Sequence, residues 1–204
     1  MPRPPRVSPD RILAAAALEF AERGFAGARV DRIARRARVN KAMLYYHFKS
    51  KAGLYRTLLR QMFTLAAERL RAIAALDAQP AEKVARVIAA MAGLIGERGY
   101  FPAIMLREVA EGGAHLDRAT LTALASVPRA VAAIVEEGVR AGSFRPVNPF
   151  FAYVSMLAPL VFFLASAPIR HELSDLHVID MRAPSPAEFV AHVQEAMRRA
   201  LATT

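Results

Sequence analysis

Between Lys41 and Lys51 the chain carries three lysines, two tyrosines and a histidine, on what spacing makes one short helix and the start of the next. Leu44 and Phe48 stand four apart and form the apolar side of the short helix, able to pack on Ile33 and Ala37. That leaves Lys41, Tyr45, Tyr46 and His47 around its other faces. Lysine brings charge, while tyrosine brings a neutral hydroxyl donor and a ring that lies along a sugar. Together they suit a nucleic-acid backbone. Lys49 and Lys51 add two cations, and the N–H groups opening the next helix offer another phosphate site. Each residue also has a plainer reading, since basic stripes are often solvated faces and tyrosines at helical spacing are often core.

Charge distribution favours the first reading. The chain of 204 residues has a formal net charge of +10. Residues 1–51 hold 12 Lys/Arg against 4 Asp/Glu, whereas residues 52–204 hold 16 against 14. A basic head on a near-neutral body suits a polyanion, either nucleic acid or an anionic membrane.

Other chemistry finds little footing. The absence of cysteine excludes disulfides, thiolate metal sites and thiol nucleophiles, and is compatible with a reducing cytoplasm. The five histidines, His47, His115, His171, His177 and His192, show no metal-ligand spacing and no neighbouring carboxylate pair. Ser155 and Ser166 lie in apolar surroundings, and Gly112-Gly113 reads as a helix break, not a phosphate loop. No metal, cofactor or enzymatic activity is expected.

The elements that must position these residues are helical almost throughout. Ser8-Pro9 opens a first helix with Ile12, Ala16 and Phe20 on one face, ended by Gly24. A second short helix runs from Val30 to Ala37, and Asn40 caps a third from Lys41 to about Tyr46. Further helices are expected from Lys51 to about Leu76, Pro80 to Glu97, Pro102 to Glu111, and Leu116 to Arg140. Another starts near Pro149. Ser185 and Glu188 fit a capping box at the head of the last one. The expected organisation is all-α: a helix-turn-helix domain over 1–51, with a flexible basic arm over 1–8 that does not read as a signal peptide, and a larger helical domain over 52–204.

Two features of the body bear on function. Residues 146–169 carry no charge, enough to span a bilayer. A membrane-anchored DNA-binding protein is therefore an alternative, and a helical enzyme a more remote one. Against spanning, Pro159 falls mid-run, where it frees the carbonyl of Ser155 and should kink the helix. Met91, Ile95, Phe101, Met105, Met156 and Phe162 are bulky and apolar on consecutive helices, an adaptable lining for a small-molecule pocket. Arg107 could orient an anionic group there or pair with Glu111.

The run IARRARV from Ile33, followed by LYYHFKSK from Leu44, resembles the TetR family over about Ile12–Leu58. The resemblance implies a cytoplasmic homodimer that represses from a palindromic double-stranded operator, without a membrane, and is released by an effector bound in its C-terminal domain. It places Lys41, Tyr45, Tyr46, His47 and Lys51 at positions that commonly touch DNA. Arg29 stands where a capping threonine is usual, and can reach a phosphate instead. Arg38 replaces the usual turn glycine, and Asn40 replaces a serine while still able to cap. Ala42-Met43 replaces a pair that is often Gly-Thr, so operator preferences cannot be transferred.

Overall fold

A computed structural model of the chain describes residues 8–179 and 185–203. The basic arm expected over 1–8 lies, apart from Ser8, outside them. By their contacts the residues form two units: Met1–Met62 with Ala103–Ala123, and Phe63–Pro102 with Leu124–Thr204. A cut after Lys51 does not coincide with this division. Helix continues without a break through that point, and the first unit takes in a later stretch that no local signal marks.

The first unit begins with α1 (Pro9–Gly27), α2 (Val30–Arg36) and α3 (Lys41–Phe48). Ser8 caps α1 by accepting from the Asp10 amide. Gly24, at φ +67°, breaks the helical path without ending the element, which regains a turn and stops at Gly27. Ile12, Ala16, Phe20, Ile33, Ala37, Leu44 and Phe48 are buried, so the apolar stripes of the three helices converge on one core. The α2–α3 turn puts Arg38 at φ +52°, a left-handed position held without glycine. Its partner in the turn, Asn40, accepts from the Ala42 amide at 2.9 Å and caps α3.

Helix α4 (Lys51–Ala74) follows at once, its first turn fixed by the Ser50 hydroxyl, which accepts from the Gly53 amide at 2.9 Å. A Cβ on Gly53 would fall 2.1 Å from the Phe48 carbonyl oxygen, so the close approach of α3 and α4 requires glycine there. Helices α6 (Phe101–Ala110) and α7 (Arg118–Arg140) each contribute one end to this unit.

In the second unit α5 (Pro80–Glu97), α8 (Pro149–Ala165) and α10 (Pro186–Leu201) pack pairwise on one another. Ile88, Met91, Ile95, Met156, Leu160, Val193 and Met197 fill the space between them. Lys83 is only 4% exposed. Its ammonium donates to both Glu137 carboxylate oxygens, at 2.8 and 2.9 Å, and to the Ala74 carbonyl at 3.0 Å. The capping box at Ser185 and Glu188 is present as expected.

The apolar run behaves differently from expectation. Helix α8 passes through Pro159 and ends at Ala165, and α9 (Ala167–Asp175) leaves it at an angle of 47°. The bend falls at Ser166, whose hydroxyl donates to the Phe163 carbonyl and whose successor helix opens with Pro168 near its N-terminus. A proline costs a helix least in its first turn, which is where Pro168 sits.

Candidate nucleic-acid interface

The face of α3 away from the core presents Lys41, Ala42, Tyr45 and Tyr46, with Tyr46 70% exposed. Its opposite face is anchored by Leu44 and Phe48, which lie in the core. Met43 and His47 are half-buried at the sides. His47 packs its ring against Tyr46 and Phe48, with Nε2 buried and free of any hydrogen bond to the protein.

Electrostatics within the head are partly internal. The Lys41 ammonium pairs with Asp31 at 2.8 Å, an exposed bridge that raises the lysine pKa and lowers that of Asp31, mainly through the hydrogen bond itself. Lys49, at φ +66°, donates to the Tyr46 carbonyl and hangs over the Tyr46 ring. Arg29 stands exposed at the N-cap of α2 with no side-chain cap bond, as expected from the missing threonine. Its backbone N–H donates instead to Glu19, a carboxylate 2% exposed that also accepts from Arg32 at 2.7 Å.

Lys51 bonds within the head. Its ammonium donates to the carbonyl oxygens of Phe25 (2.9 Å), Ala28 (3.2 Å) and Ala26 (3.4 Å), and lies 4.6 Å from the Phe25 ring centroid. Three acceptors use the three donors that an ammonium has.

Arg107 is likewise engaged: its guanidinium donates to the Phe20 and Glu22 carbonyls on α1, at 3.3 and 3.5 Å, and makes no ion pair with Glu111. Among the other pocket candidates, Met91, Ile95 and Met156 are buried in the second unit. Phe101 and Met105 are half-buried, and Phe162 is 69% exposed. Phe162 therefore belongs to the surface of α8 and not to its inward face.

Sequence spacing also missed a polar group around Glu108. This carboxylate, 2% exposed, accepts from the Tyr55 hydroxyl at 2.9 Å and from the His115 backbone N–H at 3.0 Å. His115 Nδ1 lies 3.2 Å from carboxylate oxygens of both Glu108 and Glu111, so this histidine does have a neighbouring carboxylate pair. The three side chains could hold a metal ion, their ligand atoms lying within 4.8 Å of one another. The Glu-x-x-Glu-x-x-x-His spacing was the available signal. Burial, then the bond to Glu108, pushes the Tyr55 hydroxyl pKa well up, keeping it a donor.

A short helix anchored on one face and polar on the other, following α2 across a tight turn in a basic head, is the arrangement of a helix-turn-helix DNA-binding protein. Residues 12–58 match the family described as "Bacterial regulatory proteins, tetR family", and residues 80–197 match "Tetracyclin repressor-like, C-terminal domain". The chain belongs to the tetR family and is a transcriptional regulator, not an enzyme.

It is 32% identical over 179 residues to the HTH-type transcriptional repressor NicS of Pseudomonas putida, covering 84% of this chain and 81% of that one. Over 65 residues it is 45% identical to the HTH-type transcriptional repressor SCO4008 of Streptomyces coelicolor, 31% of this chain and 34% of that relative, so the match spans about a third of its length. The fold is shared with the transcriptional regulator FadR from Bacillus subtilis, solved in complex with stearoyl-CoA. That match has a TM-score of 0.77 at 18% identity, covering 95% of this chain and all of that one.

Proposed function

We propose that the protein is a cytoplasmic homodimeric repressor that places α3 of each protomer in the major groove of a palindromic operator and leaves it when a small, largely apolar effector binds. The observation that carries the DNA-contact assignment is the exposed face of α3, with Lys41, Ala42, Tyr45 and Tyr46 opposite the buried Leu44 and Phe48. Arg29 and Lys49, exposed at either side, are backbone contacts, and Ala42 and Met43 set base preference. Selection from random duplexes with the purified protein tests this. Enrichment of an inverted repeat is expected, and enrichment of no sequence overturns it.

The dimer rests on α8 and α10. Phe151, Val154, Ser155, Ala158 and Phe162 recur at helical spacing and are all exposed on α8. Beside them run a groove of about 420 Å³ bordered by Arg145, Phe151, Ser155 and Met197, and one of about 310 Å³ bordered by Pro159, Phe189, His192 and Ala196. Two such helices from each protomer make a four-helix interface, and the uncharged run then needs no bilayer. For the effector, Met91, Ile95 and Met156 supply adaptable apolar lining. The long acyl chain held by the FadR neighbour supports an apolar ligand class.

A further inference from the structure

The C-terminal segment of α1 is held by cations from three other elements. Gly24 breaks the helical path at φ +67°, and the helix stops at Gly27, which leaves its last carbonyls without partners inside the helix. From α2, Arg32 donates to the Gly27 carbonyl at 3.0 Å. From α4, the Lys51 ammonium takes the carbonyls of Phe25, Ala26 and Ala28. From α6, Arg107 takes those of Phe20 and Glu22, its guanidinium so close to Gly24 that a Cβ there would lie 3.3 Å from Nη1. The bare glycine makes room for the arginine as well as bending the chain.

We infer that Lys51 and Arg107 are positioning residues for DNA binding: they fix the end of α1, and through it the start of α2, and neither spends its charge on a phosphate. This rests on the DNA-binding reading above. An ammonium with three carbonyl acceptors has no donor left for DNA, so Lys51 acts on the operator through α1. Arg107 ties α6 to the same segment with two long hydrogen bonds, at 3.3 and 3.5 Å. A displacement of α6 by ~1 Å carries both beyond hydrogen-bonding range. The head then loses its restraint on that side while the core bonds of α1, α2 and α3 remain.

The salt dependence of affinity separates positioning from contact. Wild type, Arg107→Met, Arg107→Lys and Lys51→Met are compared on a duplex enriched by the wild type, across a salt series. Each Met variant should raise Kd by about tenfold at every salt concentration, with the log–log slope unchanged. Arg107→Lys should recover part of the loss. Amide hydrogen exchange should rise at 24–32 in both Met variants, with melting temperature nearly constant. Wild-type affinity in either Met variant overturns the role of that residue. A slope reduced by about 1.8, two phosphates per dimer at about 0.9 each, marks it as a phosphate contact and overturns the role equally. If the wild type enriches no duplex, the DNA reading has failed, while the exchange measurement still decides the restraint: unchanged exchange at 24–32 contradicts it.

Discussion

Arg38 shows how one residue can be strained without disturbing its surroundings. Its backbone sits at φ +52°, where a side chain costs energy that glycine avoids, yet the turn closes with Asn40 capping α3. Arg38→Gly should therefore raise stability by up to about 1 kcal/mol, a rise of about 2–4 °C in a thermal melt. A lower Tm would show that the arginine side chain more than offsets its strain. At the DNA face, Tyr45→Ala should weaken binding across all sequences alike, while Met43→Thr should shift base preference, read by repeating the duplex selection with each variant. The polar face of α3 was legible because Leu44 and Phe48, four apart, leave no other side for Tyr45 and Tyr46. The engagement of Lys51 was not legible, since its acceptors Phe25, Ala26 and Ala28 are more than twenty residues away, at the end of α1.

Element by element, the cap residues were the most reliable signals. Asn40, Ser185 and Glu188 each bond where their types and positions require, because a cap is a contact within a few residues. Asn40→Ala should cost about 1 kcal/mol in chemical denaturation and leave the rest of the fold unchanged; no change would mean that α3 is held by Leu44 and Phe48 alone. The break at Ser166 was hidden for the opposite reason. The apolar run continues through it, so hydropathy sees one element where the structure has α8 and α9, and Pro159 drew attention away from it. The Glu108, Glu111 and His115 group keeps a helical spacing, i, i+3 and i+7, but His115 lies in the turn beyond α6, so the spacing was a signal only for a helix that ran on past Ala110.

For the whole molecule, the charge split marked the head correctly as basic but not its extent. Ala103–Ala123 joins the first unit through such bonds as Tyr55 to Glu108 and Arg56 to the His115 carbonyl, which span more than fifty residues. Assembly follows from the exposed face of α8. Val154→Asp should convert the dimer to monomer in sedimentation velocity at micromolar concentration, because a carboxylate there would be buried without a partner. An unchanged dimer would move the interface elsewhere. The central claim, sequence-specific DNA binding by the exposed face of α3, is tested most directly by competition anisotropy at physiological salt. The selected duplex is measured against a scrambled one of equal length. The account predicts a preference of at least about 10³-fold, lost when Tyr45 and Tyr46 are both replaced by alanine. Equal affinity for the two duplexes would contradict it.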